Sequence, residues 1–166
     1  MTSLTIEGEN WSGRSLRALV EHILDRFHAV HREQLPRLIE LAGELGTDGA
    51  AVLRFVENWQ FEIHDHLAKE EEVLFPMILD DMGDDAAAPI SVMEQEHHEH
   101  DENLAQLEQL IQQLGATHID NSTWQKLNHE FANFKGDLQM HVHLENQVLF
   151  PRALSGEQAG KSEPRH

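Results

Sequence analysis

Two segments of the chain repeat one pattern, in which a histidine is followed four residues later by a glutamate. The first copy is His66 and Glu70, and the second copy is His141 and Glu145. Each copy continues at identical offsets into Val-Leu-Phe-Pro. Because residues four apart share one face of a helix, two such helices facing each other would bring two imidazoles and two carboxylates to one point. Both groups are metal donors, so the repeat predicts a metal site.

The spacing of apolar residues predicts the helices that would position these pairs. In the first helix, Ser12 or Ser15 can cap the start and Gly46 can mark the stop. The second helix follows the turn 47–49 and is expected to end near 82–83. It contains the first copy of the repeated pattern.

Two further helices follow the connector after the second. Pro89 suits the first turn of the third helix, which is predicted to stop at Gly115. Asn121 or Ser122 can cap the fourth helix, which contains the second copy. Because the connectors are short, sequential helices are antiparallel neighbours. The sequence therefore predicts an all-α, up-down-up-down four-helix bundle.

Two prolines lie inside the helical patterns. Pro36 falls in the first helix, and Pro76 falls late in the second. Proline lacks an N–H donor and crowds the preceding turn of a helix. We therefore expect a kink at Pro36 and a bend or local break at Pro76.

The length of the chain suits one domain with a substantial core. We predict a single domain over 1–166, with the bundle at about 14–154. The lead-in 1–12 is expected to be irregular. The polar segment 155–166 is expected to be a mobile tail.

Helical periodicity separates inward-facing from outward-facing histidines. At about 100° per residue, His66 and Glu70 fall within the apolar arc of the second helix. His141 and Glu145 fall within the arc of the fourth. A buried carboxylate is costly unless it is paired or metal-bound, so these two need an explanation. The same count turns a second set of histidines towards solvent: His64, His98, His129 and His143.

The first and third helices each offer a choice of inward histidine. In the first helix, His28 lies at the edge of the apolar arc and His31 lies nearer its centre. In the third helix, His97 lies at the edge and His100 lies nearer the centre. A kinked helix blurs these angles, so periodicity alone does not choose between them.

The donor set indicates which metal is expected. A nitrogen-rich set with two carboxylates favours iron, because imidazole suits iron, zinc and copper while carboxylates suit harder ions. The carboxylates could bridge two metal ions, with the imidazoles as terminal ligands. The alternative is a structural bundle in which core histidines are only hydrogen-bonded to glutamates.

Composition excludes several other function classes. The formal net charge of −18 argues against nucleic acid and anionic membrane as partners. The chain has no cysteine, which excludes disulfides, thiolate ligands, a cysteine nucleophile and the usual ligation of an iron–sulfur cluster. It has no tyrosine, which excludes a tyrosyl radical. The first residues do not form a signal peptide and no segment is apolar enough to span a membrane, so a cytoplasmic location is expected.

Four segments, one in each helix, carry a resemblance to a known family. They are 27–36, 66–78, 89–97 and 141–154. With these segments the chain resembles the hemerythrin-like (HHE cation-binding) superfamily. More narrowly, it is similar to the di-iron domain of the RIC, or repair of iron centres, family. The resemblance runs from about residue 14 to 154 and implies a hemerythrin-like bundle.

The resemblance implies one histidine ligand on each helix and a bridging glutamate on the second and fourth. The set that this implies is His28, His66, Glu70, His97, His141 and Glu145. The resemblance thus favours His28 over His31 and His97 over His100, whereas the angular count leans the other way. His31 and His100 stay open as groups behind the ligands or as replacement ligands.

The resemblance also implies a function. It implies a non-haem protein with two iron ions, bridged by oxo and carboxylate groups, that helps to repair iron–sulfur clusters damaged by nitrosative or oxidative stress. It would donate iron or act on nitric oxide. Damaged iron–sulfur proteins or small gases would be its partners, and a monomer or weak dimer is expected.

One departure from the family supports a second interpretation. RIC proteins often carry an N-terminal module with a cysteine pair, and this sequence has no cysteine. The alternative is therefore a stand-alone hemerythrin-like protein that binds or senses dioxygen or nitric oxide without turnover.

Overall fold

Four long helices make up most of residues 11–160, the part of the chain that this computed structural model describes. The predicted all-α bundle is confirmed, and residues 11–160 contain no strand. Within the same range, no helix combines the length and the apolar character needed to cross a membrane. The lead-in residues 1–10 and the last residues 161–166 lie outside the described part, and so does most of the predicted irregular lead-in.

Three of the four helices contain a short π-helical turn between two α-helical parts. The first helix, α1, covers 16–44 as Leu16–His22, the π turn Ile23–His28 and Ala29–Glu44. The second, α2, covers 50–79 as Ala50–Lys69, the π turn Glu70–Leu74 and Phe75–Leu79. The third, α3, is α-helical throughout, Ala87–His118. The fourth, α4, covers 122–154 as Ser122–Leu144, the π turn Glu145–Leu149 and Phe150–Leu154.

The helix starts follow the predicted capping residues. The Ser15 side chain accepts a hydrogen bond from the Ala18 N–H at 3.0 Å, and this caps α1. The Asn121 side chain caps α4 by accepting from the Trp124 N–H at 2.9 Å. After α1, Gly46 adopts a positive φ of 63°, the backbone conformation that commonly follows a helix end.

Two boundaries differ from the prediction. Helix α3 continues through Gly115 to His118, because Gly115 marks a close contact and not a stop. A Cβ atom at Gly115 would lie 2.5 Å from Cζ2 of Trp124 on α4. Helix α2 ends at Leu79, before the predicted 82–83, because Asp81 takes a positive φ of 63°, which cannot continue a right-handed helix.

The two prolines behave differently. Helix α1 continues past Pro36, which lies inside its second α-helical part. Pro76 lies at the start of the last α-helical part of α2, directly after the π turn. The predicted local break at Pro76 therefore takes the form of a change in hydrogen-bonding pattern. Pro151 occupies the matching place after the π turn of α4.

The first part of the predicted tail is held against the bundle. Ala159 is buried, its N–H donates to Asp81 Oδ1 at 2.7 Å, and its carbonyl accepts from the Arg17 N–H at 3.0 Å. Arg17 Nε also donates to the Gly160 carbonyl at 2.8 Å. The rest of the predicted tail is outside the described residues, and the single-domain organisation over 1–166 stays a prediction.

The core consists of two apolar clusters separated by a polar layer. One cluster lies at the end of the bundle where α1 begins and α4 ends, and it includes Phe27, Phe75 and Phe150. The other surrounds the opposite end of the bundle and includes Trp59 and Phe134. In every helix the buried histidines and glutamates lie between residues of these two clusters. Water is therefore excluded from the polar layer on both sides.

Candidate metal centre

The polar layer contains the residues that the sequence singles out. Of the residues described, eight polar or charged side chains are buried: His28, His31, His66, Glu70, His97, His100, His141 and Glu145. These are the six predicted ligands and the two alternatives. Burying so many ionisable groups is costly unless they are paired or bind a cation.

The six predicted ligands form two overlapping groups of donors. In each group, four donor atoms lie within 4.8 Å of one another. One group consists of His28, Glu70, His141 and Glu145. The other consists of His66, Glu70, His97 and Glu145. Both carboxylates belong to both groups, which is the arrangement that bridges two neighbouring metal positions.

Each carboxylate directs one oxygen towards each group. Glu70 Oε1 lies 2.9 Å from His28 Nε2, and Glu70 Oε2 lies 3.2 Å from His66 Nε2. Glu145 Oε2 lies 2.9 Å from His141 Nε2, and Glu145 Oε1 lies 2.9 Å from His97 Nε2. The two glutamates thus stand between the two pairs of imidazoles.

The π turns position three of these side chains. Glu70 begins the π turn of α2, Glu145 begins that of α4, and His28 ends that of α1. A π turn holds more residues than an α turn, so a count at 100° per residue misplaces the side chains beyond the turn. His28 therefore meets the carboxylates although the angular count put it at the edge of the apolar arc.

Helix α3 has no π turn between Ala87 and His118. In this helix, the position of each histidine along the axis determines which one reaches the carboxylates. His97 and His100 are both buried on the same face. His97 reaches Glu145, whereas His100 lies further along the helix with its ring centroid 6.1 Å from that of Trp59. The structure groups His28 and His97 with the carboxylates, in line with the family resemblance.

The second ring nitrogen of each grouped histidine faces a side-chain partner. Such partners orient a metal-ligating imidazole and fix its tautomer. The Nδ1 contacts are His28 to Glu71 at 2.7 Å, His66 to Glu96 at 2.8 Å, His97 to Asn146 at 2.8 Å, and His141 to His31 at 3.1 Å. Sequence reasoning missed the first three partners. Their only signal in the sequence is adjacency to a predicted ligand, since Glu71 and Asn146 follow Glu70 and Glu145, and Glu96 precedes His97.

The unsatisfied atoms of the centre fit a bound cation. Across the described part of the chain, four buried atoms of the second group lie close to one another without hydrogen-bond geometry: His66 Nε2, His97 Nε2, Glu70 Oε2 and Glu145 Oε1. Leaving a buried polar atom unpaired costs about 1–3 kcal/mol. All four are the donor atoms of one group, so a metal ion would satisfy all of them together.

The electrostatics of the metal-free centre favour positive charge. Burial lowers the pKa of His97, but contacts with Glu145 and Glu70 outweigh burial and raise it to about 10. Burial likewise lowers the pKa of His141, but contacts with Glu145 and Glu70 outweigh burial and raise it to about 9. Burial raises the pKa of Glu70, yet its three histidine neighbours hold that pKa well below its ordinary value. The two glutamates thus favour the protonated, positively charged form of His97 and His141 in the metal-free centre.

The histidines predicted to face solvent mostly do so. His64, His98 and His129 are exposed, as expected. His143 is only half-buried, and its Nε2 has no hydrogen-bond partner within residues 11–160. His143 is therefore a partial exception to the prediction, with its ring covered at one end.

Together, the fold and the site define a class of protein: four-helix bundles that bind metal through histidines and glutamates on their inner faces. The family model described as the hemerythrin HHE cation binding domain matches residues 19–153. The chain belongs to this family, which confirms the resemblance seen in the sequence.

Curated relatives are similar over most of their length. The iron-sulfur cluster repair protein YtfE of Yersinia pseudotuberculosis is 39% identical over 156 residues, covering 90% of this chain and 71% of the relative. YtfE of Cronobacter sakazakii is 38% identical over 156 residues, with the same coverage. YtfE of Musicola paradisiaca is 39% identical over 159 residues, covering 90% of this chain and 70% of the relative.

Proposed function

We propose that this chain is a non-haem di-iron protein that takes part in the repair of iron–sulfur clusters damaged by nitrosative or oxidative stress. The observation that carries the proposal is the pair of donor groups that share Glu70 and Glu145. Membership of the HHE cation-binding family and relatives named for iron–sulfur cluster repair support it. The acidic chain, with a net charge of −18, also favours the approach of cations.

Each predicted ligand has a role in this proposal. His28 and His141 would hold one iron ion, and His66 and His97 would hold the other. Glu70 and Glu145, which contribute to both donor groups, would be shared between the two ions. When bound, the iron pair supplies Lewis-acid and redox chemistry and a store of ferrous ion. The chain itself orients the donors through their Nδ1 partners and keeps water out with the two apolar clusters.

Damaged iron–sulfur proteins are the proposed partners, with ferrous ion as the cargo and nitric oxide as a second substrate of the same site. A monomer or weak dimer in the cytoplasm is the state in which we expect the protein to act.

Reactivation of a damaged enzyme tests the proposal. The protein is loaded with ferrous iron without oxygen and mixed with a hydratase whose cluster has been damaged by nitric oxide, and recovered hydratase activity is measured. His66→Ala should abolish recovery, because it removes a ligand of one position. The matched control is His64→Ala, an exposed histidine on the same helix, and it should behave as the unaltered protein does.

Two results would contradict the proposal. One is an iron-loaded protein that restores no activity beyond that of free ferrous ion at the same concentration. The other is a His66→Ala variant that restores as much activity as the His64→Ala control. The iron content of each sample is measured first, so that failure to bind and failure to repair are separated.

A second candidate function rests on the number of donors. Each group contains four protein donor atoms, and octahedral iron would keep positions for a small molecule. This favours reversible binding of dioxygen or nitric oxide without turnover. That function predicts a reversible change in the optical spectrum on exposure to the gas and no transfer of iron to an acceptor. Transfer of iron during the reactivation assay would exclude it.

A further inference from the structure

The repeated sequence pattern produces a repeated arrangement of partners in space. His28 and His31 on α1 have the same spacing as His97 and His100 on α3. His28 Nδ1 contacts the residue that follows Glu70, and His97 Nδ1 contacts the residue that follows Glu145. The α1–α2 and α3–α4 hairpins therefore surround the two metal positions in matching ways.

The two hairpins differ in the partner of one histidine. His66 Nδ1 lies 2.8 Å from Glu96, the residue that precedes His97. The residue that precedes His28 is Phe27, which has no acceptor, and its ring stacks on His141 with centroids 5.7 Å apart. His141 therefore has no carboxylate in the equivalent place. Its Nδ1 instead lies 3.1 Å from His31 Nε2.

A chain of hydrogen bonds runs from His31 to the surface. His31 Nδ1 lies 3.1 Å from Gln34 Oε1, and Gln34 Nε2 donates to Asp137 Oδ2 at 2.8 Å. Arg26 donates to the other oxygen of Asp137 at 3.0 Å. These three polar residues line an open surface cavity of about 470 Å³ between α1 and α4. The chain thus connects the buried His141 to a solvent-facing ion pair.

The donors and acceptors along this chain allow one consistent assignment. The carboxylate of Asp137 only accepts, so the amide nitrogen of Gln34 must face it and the amide oxygen must face His31. His31 then carries its proton on Nδ1, which leaves Nε2 as an acceptor. His141 must donate from its own Nδ1, and its Nε2 is left free to bind a metal ion.

We propose that His31 is a positioning residue for the metal ligand His141, taking the place of the carboxylate that orients the equivalent ligand His66. Gln34, Asp137 and Arg26 extend this role to the surface. An amide side chain does not readily pass a proton along. These hydrogen bonds therefore fix the orientation and tautomer of His141 and do not form a proton-transfer path. The inference rests on the metal binding by His141 proposed above.

His100 provides the matched control. It is the counterpart of His31, it is buried to a similar extent, and its ring centroid lies 4.7 Å from that of His66. Over the described residues, neither ring nitrogen of His100 has a hydrogen-bond partner. His66 already uses Glu96, so His100 has no ligand to orient. Replacing either histidine removes the same ring next to a proposed ligand, but only the replacement of His31 removes a hydrogen bond to that ligand.

The experiment measures the release of ferrous iron to an excess of a chelator in the absence of oxygen. His31→Phe should release one of the two iron equivalents roughly 10–100-fold faster than the unaltered protein, a range typical for loss of an outer-shell partner. His31→Gln should restore slow release, because its amide oxygen can accept at the place of Nε2. His100→Phe should release both equivalents at close to the unaltered rate.

A second variant guards against misfolding of His31→Phe. Gln34→Met leaves both imidazoles in place and removes the hydrogen bonds on the outer side of His31. It should therefore also accelerate the release of one iron equivalent. Equal release rates for Gln34→Met, His31→Phe and His100→Phe would overturn the inference. If the unaltered protein binds no iron at all, both the proposed function and this inference fail. If it binds two equivalents and the His31 and Gln34 variants change nothing, only the inference fails.

Discussion

At the scale of single residues, the centre depends on two carboxylates that lie between the two apolar clusters. Glu70 and Glu145 are fully buried, and each has an imidazole at about 3 Å from each of its oxygens. A carboxylate in this position needs positive charge nearby. Protonated histidines supply that charge in the metal-free protein, and metal ions would supply it in the loaded protein.

Removing one carboxylate charge should abolish binding at both positions. Glu70→Gln keeps the size of the side chain but removes the shared anionic donor, so we expect less than one iron equivalent per chain. Iron content after anaerobic loading and gel filtration measures this. Glu72→Gln, an exposed neighbour on the same helix, is the control and should keep the full content. Full loading of Glu70→Gln would contradict a bridging role.

The pKa values of two histidines predict how the metal-free protein responds to pH. The folded protein raises the pKa of His97 to about 10 and that of His141 to about 9, above the value of about 6.5 for the unfolded chain. The stabilisation is therefore complete below the unfolded pKa and is lost as the pH rises through the folded values. Metal-free protein should show a falling melting temperature between neutral pH and about 10.

The metal-loaded protein provides the comparison for this pH series. Its histidines bind metal in place of protons, so its melting temperature should fall less over the same range. Thermal melts followed by circular dichroism, with and without metal, give both curves. Parallel curves would show that the histidine protons do not stabilise the metal-free fold.

At the scale of elements, π turns and close helix contacts set which residues meet. Glu70 and Glu145 begin the π turns in α2 and α4, and a proline, which has no N–H to donate, lies at the start of the α-helical part that follows each turn. Between α3 and α4 the close approach occurs at Gly115 and Trp124. These local features fix the positions of the helices, and with them the positions of the ligands.

A pair of glycine substitutions tests the packing of α3 against α4. Gly115→Ala would place a methyl group 2.5 Å from Trp124, so we expect a loss of about 1–3 kcal/mol in the free energy of unfolding. Gly136→Ala, inside α4, meets nothing within 4 Å and should gain about 0.4–1 kcal/mol. Chemical denaturation of metal-free protein measures both. A stabilising Gly115→Ala would contradict the close contact.

At the scale of the whole molecule, the polar layer draws on all four helices and lies between two apolar clusters. A metal ion held there would connect helices that are distant in sequence. It would also bind the buried donor atoms that make no hydrogen bond in the described part of the metal-free chain. Metal binding and folding of the bundle should therefore be linked.

Iron loading should stabilise the entire bundle. At free metal about 100-fold above the dissociation constant, the expected gain is about 2.7 kcal/mol, and chelation should reverse it. His141→Ala removes a donor of one group and should narrow the difference between the loaded and metal-free melting temperatures. His129→Ala, an exposed histidine on the same helix, should leave their difference unchanged. A melting temperature of the iron-loaded, unaltered protein that does not change on chelation would contradict the linkage between metal binding and folding.

The sequence by itself determined the local features of this protein. Apolar spacing and capping residues such as Ser15 and Asn121 define the helices, because these patterns act within a few residues of chain. The His-x-x-x-Glu repeat put Glu70 and Glu145 in the core, because residues four apart must share a helix face. The family motifs then indicated His28 and His97.

Only the tertiary structure decided which side chains meet across helices. The π turns changed the helical phase at His28, and the contact of Gly115 with Trp124 extended α3 past its predicted end. The partners of the ligands, and the difference between His31 and His100, depend on how far one helix is shifted along another. That shift follows from packing of the complete core, and no local pattern in the sequence encodes it.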